Sequence, residues 1–361
     1  MESYKTLNEF YNHLKMKAYE LGIPFSGGFE LTPRCNLRCK MCYVREDPNE
    51  PYQKELTASQ WIGLGRMFAD KGTLSLFLTG GEPLLRDDFR EIYEGLNRLG
   101  FRITLFTNGT LLTEEKVRWL ASIPPGTVDI TLYGASEDTY KNLCGSGEAY
   151  LKAVNALDML LKYGINTRVK MTVVKTNVHD FKAVREIARS RRIPFLAGNI
   201  IHGHRTNGIN PCEKIRLSPE EIYSFDDADF ENMDCEPIDI ENMKRRHGDL
   251  PAMTCLAAKC GFFITWQGHL TPCALFTTPY TEPLKTGLDE AWSSLKDKLP
   301  EISKPEKCRS CDKIAFCSAC PPRLKLETGR FDLHSEYLCK VAQRKEEYLI
   351  KINERLASKA I

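Results

Sequence analysis

The chain has 361 residues, 42% apolar and 27% charged, with a formal net charge of +2. That length allows a large core, and the near-neutral balance gives no reason to expect nucleic acid as an obligate partner. The start, MESYKTLNEFYNHLKMKAYELG, lacks the apolar centre of a secretory signal. No apolar run approaches the roughly eighteen residues of a membrane helix, so a cytoplasmic protein without membrane contact is expected. Thiols stay reduced there, and the fourteen cysteines point to metal rather than to a disulfide framework.

Residues 1–24 read as one helix. GGFELTP (27–33) then reads as a strand, followed by LSLFLTG (74–80), FRITLFTNG (101–109), VDITLYG (128–134), TRVKMTVV (167–174) and FLAGNII (195–201). Each is short and rich in β-branched or aromatic residues. Helical patterns lie between them: Thr57 to Gly72, Arg86 to Gly100, Thr113 to Ser122, Glu148 to Gly164, and His179 to Arg192. Thr57 and Thr113 are N-caps, and glycines supply the stops. Strand and helix in alternation predict an α/β fold, a partial (β/α)6 TIM-like barrel with right-handed crossovers. Its chemistry belongs at the carboxyl ends of the strands.

That rule gathers four loops on one rim. TPRCNLRCKMCYV (32–44) follows the first strand and carries Cys35, Cys39 and Cys42. TGGEP (79–83), TNG (107–109) and YGAS (133–136) close the next three strands. A tetrahedral zinc site normally takes four ligands. Three thiolates suit a [4Fe–4S] cluster with one iron left open. In GGEP the glycines permit close approach to the backbone, and Glu82 offers a carboxylate to an ammonium group.

Together these residues resemble the radical S-adenosylmethionine (radical SAM) enzymes, which carry a C-x3-C-x2-C loop after the first barrel strand and GGE after the second. The resemblance implies that Cys35, Cys39 and Cys42 hold a [4Fe–4S] cluster whose open iron chelates SAM. Gly80, Gly81 and Glu82 meet the SAM amino end, Thr131 is placed for the ribose, and Asn108 is a further contact. It implies cleavage of SAM to a 5′-deoxyadenosyl radical that abstracts a substrate hydrogen atom. Met41 stands where the family often has an aromatic residue, and Tyr43 follows the third cysteine instead.

The second cysteine-rich stretch comprises CLAAKCGFFITWQGHLTPC (255–273), CRSCDKIAFCSAC (308–320) and Cys339. Its paired cysteines read as a zinc ribbon or as two four-thiolate iron–sulfur sites. The segment resembles the SPASM domain found at the C-terminus of many radical SAM enzymes. The match runs through Gly268-x4-Cys273 and Cys308, Cys311 and Cys317, with two residues rather than three before Cys320. By that resemblance Cys255, Cys260, Cys273 and Cys320 hold one auxiliary [4Fe–4S] cluster. Cys308, Cys311, Cys317 and Cys339 hold a second. Were Cys260 only a buried thiol, the first auxiliary cluster would have an open iron.

The expected organisation is an N-terminal helix (1–24), a radical SAM core (25–215), a bridge (216–252) and a small SPASM domain with a C-terminal helix (253–361). The acidic stretch 225–242 lacks the glycine and glutamate spacing of a calcium loop. SPASM enzymes mostly modify peptides, so the resemblance implies a peptide or protein substrate, a crosslink or oxidised residue as product, and a reductant such as a flavodoxin or ferredoxin. LYGASEDTY argues against sulfatase maturation, and residues 1–24 leave no room for an N-terminal peptide-recognition domain. The alternatives are the same chemistry on a small metabolite, or a non-enzymatic iron–sulfur or zinc protein. Cys144, Cys212 and Cys235 are candidate hydrogen-atom donors. HGHR (202–205) reads as a carboxylate-binding rim or a surface turn. No acid or histidine is placed as a general base.

Overall fold

Local signals build the elements, and long-range contacts assemble them. The computed structural model describes residues 6–44, 54–205, 211–224, 238–245 and 255–359. The first part runs α1 (Leu7–Leu21), β1 (Ser26–Glu30), α2 (Ala58–Asp70), β2 (Ser75–Thr79), α3 (Phe89–Arg98), β3 (Arg102–Thr107), α4 (Glu114–Ser122) and β4 (Thr127–Thr131). It continues with α5 (Glu137–Cys144), α6 (Ala149–Lys162), β5 (Thr167–Thr172), α7 (Phe181–Ser190) and β6 (Phe195–Gly198). The six expected strands and the helices between them are all present.

Their ends follow from side-chain chemistry. The Thr57 hydroxyl accepts from Gln60 N–H while the Gln60 amide reaches back to Thr57 N–H, a closed capping box. Thr6 and Glu9 repeat it on α1. Helix α5 was not foreseen in the sequence. Ser136 caps it, and Gly145 ends it in the left-handed conformation.

Strands β1 to β6 are parallel neighbours in chain order. On the other edge of β1 lie two strands from the cysteine-rich region. β7 (Gly261–Ile264) pairs parallel with β1, and β8 (Leu270–Thr271) pairs antiparallel with β7. The sheet therefore has eight strands, two more than the barrel motif foresees. Gly28 makes this junction possible, since a Cβ there would lie 2.2 Å from the Phe77 ring and 2.8 Å from that of Phe263. Phe29 points the other way, into a fully buried set with Trp61 and Phe68, and Phe68 stacks on Phe262 at 3.9 Å. Each such aromatic contributes about 1.5–3 kcal/mol by burial.

Between β6 and β7 the described residues include α8 (Ile240–Arg245). Most of the acidic stretch, and Cys235 with it, lies outside the described residues. After β8 come α9 (Pro283–Thr286), α10 (Leu288–Lys298), α11 (Glu306–Arg309), α12 (Pro321–Thr328) and α13 (Glu336–Lys359). Helix α13 buries Ala342, Leu349 and Ile352 against Ala315 and Phe316, as its amphipathic pattern demands. No described helix is long and apolar enough to cross a membrane.

Candidate active site at the strand ends

The loop after β1 is fixed from both sides. Gly81 N–H donates to Thr32 O and Glu82 N–H to Arg34 O, both at 2.8 Å. Opposite, Arg38 N–H donates to Cys144 O at 2.8 Å and Lys40 N–H to Leu143 O at 3.0 Å, so the last turn of α5 braces the loop. The two glycines are required by this contact. A Cβ on Gly80 would lie 2.4 Å from Thr32 O, and one on Gly81 2.2 Å from Arg34 O.

Cys35, Cys39 and Cys42 line one cavity of about 290 Å³. Its wall continues through Thr79, Gly80 and Gly81 at the end of β2, Thr107 and Asn108 at the end of β3, Thr131 on β4, Lys170 and Thr172 on β5, and Ile200 to His202 beyond β6. One cavity touched by six consecutive strand ends means that the sheet curves around it. Leu37 N–H donates to Cys35 Sγ at 3.4 Å, and Asn108 Nδ2 approaches the same sulfur at 3.9 Å. Burial pushes the Cys35 thiol up to about 12, with the charges of Glu82, Cys39 and Cys42 adding to the effect. A bound metal reverses that, because a coordinated thiol is deprotonated outright.

Among the described residues no cysteine is in a disulfide, and no three Cys, His, Asp or Glu side chains draw close enough to hold a single metal ion. Three half-buried thiols spread around one cavity fit a four-iron cluster, which sets its irons between the ligands, better than one zinc ion.

Glu82 is not among the residues that line this cavity. Its fully buried carboxylate accepts from Thr107 Oγ1 at 2.8 Å, Asn108 N–H at 2.8 Å and Leu84 N–H at 3.1 Å. It ties the β2 and β3 loops together from behind the cavity wall. Burial raises its pKa to about 7, and the three hydrogen bonds oppose the rise. The Asn108 amide is likewise engaged, accepting from Thr110 N–H and donating to Asn36 Oδ1, both at 2.9 Å. Thr131 lines the cavity.

Lys170 was missed in the sequence. It lines the cavity, sits over the Phe106 ring at 3.4 Å and pairs with Asp129 Oδ2 at 2.7 Å. Arg168 takes Asp129 Oδ1 at 2.7 Å. Burial lowers the Lys170 pKa, and Asp129 resists the fall. A signal was there: in TRVKMT the charges fall at alternate positions, on one face of a strand whose other face is core.

Of HGHR, His202 lines the cavity, and burial with nearby Arg323 and Arg216 pushes its pKa down to about 3. Arg205 is already committed, as its Nη2 donates to Glu30 Oε1 at 2.6 Å and its Nη1 to Ala274 O at 3.0 Å. The motif is therefore neither an open carboxylate clamp nor a plain surface turn. Cys144 and Cys212 are buried, and neither lines the cavity.

In the second cysteine-rich region Cys308 lies within the field of Cys311, Cys317 and Cys339, and burial is the larger cause of its rise to about 11. Cys273 is raised to about 11, first by burial and then by Cys320 and Cys255. Cys260 is fully buried in an apolar cluster with Ala18 and Phe25.

Residues 29–188 match the sequence model of the Radical SAM superfamily. The sporulation killing factor maturation protein SkfB of Bacillus subtilis (strain 168) is 25% identical over 81% of this chain and 70% of its own length. An AdoMet-dependent heme synthase of Methanosarcina barkeri is 26% identical over 86% of this chain and 95% of its own. Streptococcus suis SuiB, in a crystal structure bound to S-adenosylmethionine, shares the fold with a TM-score of 0.69 at 17% identity, covering 94% of this chain and 84% of that one. In a second structure SuiB is bound to its precursor peptide SuiA.

Proposed function

Residues 29–188 of this chain are a radical SAM domain, and on that premise we propose that this enzyme removes a hydrogen atom from a peptide or protein and leaves a crosslink or an oxidised residue. The observation that carries the reading is the single cavity on which three thiols and the ends of six parallel strands converge. These thiols would hold a [4Fe–4S] cluster that, reduced and with SAM bound, would supply hydrogen-atom abstraction.

The chain's own residues bind and orient. Cys35, Cys39 and Cys42 hold the cluster. Gly80 and Gly81 form the wall for the amino end of SAM, while Glu82 fixes that wall to the β3 loop. Thr131 offers a hydroxyl to the ribose, and Lys170 is a cation for the SAM carboxylate. Phe106, Tyr133 and Ile201 on the same wall exclude water. A cavity of about 290 Å³ is the size of one small ligand. Cys308, Cys311, Cys317 and Cys339, with the cysteines around Cys273, would hold auxiliary clusters that could supply electron transfer with the substrate, and a flavodoxin or ferredoxin would serve as reductant.

SkfB, named as a maturation protein, and SuiB with its precursor peptide favour the peptide reading. A second reading, a porphyrin substrate, is favoured by the heme synthase, which aligns over 95% of its length. Anaerobic reconstitution with iron and sulfide, followed by reduction in the presence of SAM, tests the chemistry through 5′-deoxyadenosine. Mass spectrometry of the peptide encoded beside the gene, and of an iron coproporphyrin in a parallel tube, separates the substrates. No deoxyadenosine from a fully loaded, reduced protein would overturn the radical mechanism.

A further inference from the structure

The two edges of the sheet are finished differently. At one edge, Leu270 of β8 exchanges both backbone hydrogen bonds with Thr281, its N–H donating at 2.8 Å and its carbonyl accepting at 3.0 Å. At the other edge, β6 (Phe195–Gly198) pairs with β5 alone. We propose that the outer edge of β6 is the docking strip for the substrate's main chain, which lies along it as one more strand and brings a side chain to the cavity. The inference rests on the peptide reading above and names how that substrate binds.

The direction of each backbone group follows from the ladder. Val169 N–H donates to Pro194 O at 2.9 Å and Val173 N–H to Gly198 O at 2.7 Å. Strand residues alternate sides, so the carbonyls of Pro194, Leu196 and Gly198 face β5. The N–H and C=O groups of Phe195 and Ala197 are left pointing outward. Among the described residues no turn, loop or side chain bonds to them. Proteins commonly guard such an edge with charge or proline, and β6 carries neither. Leu196 is 44% exposed, and Ala197 and Gly198 are exposed beside it. A Cβ on Gly198 would meet nothing within 4 Å.

This edge leads to the candidate active site. Phe195 packs on Phe181 of α7, ring centroids 5.5 Å apart, so Leu196 and Gly198 face the opposite way. In register they sit beside Lys170 and Thr172 of β5, and both of those line the cavity. Beyond β6 the chain runs on into Ile200, Ile201 and His202, which line it too. A strand added about 4.8 Å outside β6 would carry every second side chain on this same face. Main-chain pairing then supplies affinity, and the cavity selects among side chains. A porphyrin macrocycle has no alternating row of N–H and C=O groups to match this edge.

The test uses the full chain, reconstituted anaerobically, and a synthetic copy of the peptide encoded beside the gene. Ala197→Pro deletes one outward N–H without touching the bonds to β5, whereas Ala197→Ser keeps it. Calorimetric titration is expected to show peptide affinity falling about tenfold in Ala197→Pro and holding in Ala197→Ser. Both should melt within about 2 °C of wild type. A second measurement needs no variant. Methylating the peptide's backbone nitrogens one at a time is expected to weaken binding to wild type at every second position along the length of β6. Hydrogen exchange at 195–198 should slow when the peptide is bound. Equal affinity for wild type and folded Ala197→Pro, or methylation losses without the two-residue period, would overturn the strand proposal and leave the peptide reading standing. A peptide that does not bind wild type would overturn both. Light scattering that shows a dimer of wild type and a monomer of Ala197→Pro would place a second copy of the chain on this edge and overturn the proposal as well.

Discussion

Removing the Arg205 guanidinium exposes how the two cysteine-rich parts are held together. Its side chain is 7% exposed and its partner Glu30 1%. Besides the ion pair, Arg205 bonds Ala274 O, one residue past Cys273, and its own N–H donates to Tyr43 O, one residue past Cys42. Arg205→Met keeps the length and the apolar stem but strands the Glu30 carboxylate, whose Oε2 already has no hydrogen-bond partner. Breaking a buried pair by removing one member costs about 3–5 kcal/mol. At about 2 °C per kcal/mol for a chain of this size, the melting temperature falls by about 6–10 °C. Glu30→Gln/Arg205→Met removes the stranded charge, and a coupling of about 2–3 kcal/mol restores about 4–6 °C. Scanning calorimetry of the four proteins at one scan rate closes the cycle. A single variant within about 2 °C of wild type, or a double variant no more stable than the single, would refute the reasoning.

Three further outcomes follow from the site. The Glu82 carboxyl sits at about 7, above the ordinary 4.5, so the folded state binds its proton more tightly than the unfolded one. Its contribution to stability therefore falls as pH rises from about 4.5 to about 7, by about 3 kcal/mol. Urea midpoints of SAM-free protein at pH 4.5 and 8 should show Glu82→Gln gaining on wild type by that amount, and parallel curves would refute the assignment. Gly81→Ala forces a Cβ onto Arg34 O and should cost about 1–3 kcal/mol, with SAM affinity falling alongside in equilibrium dialysis. Thr131→Val should weaken SAM binding by about 3- to 10-fold with the iron count unchanged; an unchanged affinity removes Thr131 from the ribose contact.

Much of this was local, and the sequence carried it. Alternating apolar runs placed six strands, Thr57 and Thr113 marked helix starts, and Cys35, Cys39 and Cys42 directly after the first strand marked the loop that lines the cavity. Such features depend on neighbours within a few residues, and backbone sterics and capping fix them without the rest of the chain. The bracing by Glu82 was not legible, because its partners Thr107 and Asn108 lie at the end of another strand. Lys170 hid in a strand whose partner, Asp129, lies on a neighbouring one. The pairing of β7 with β1, the Glu30–Arg205 bond across 175 residues and the packing of Cys260 against Ala18 and Phe25 were decided only by the tertiary structure. They answer to burial and charge pairing between segments that meet only when the chain closes. That is why residue type and spacing gave the number of thiols, while packing decided what surrounds each of them.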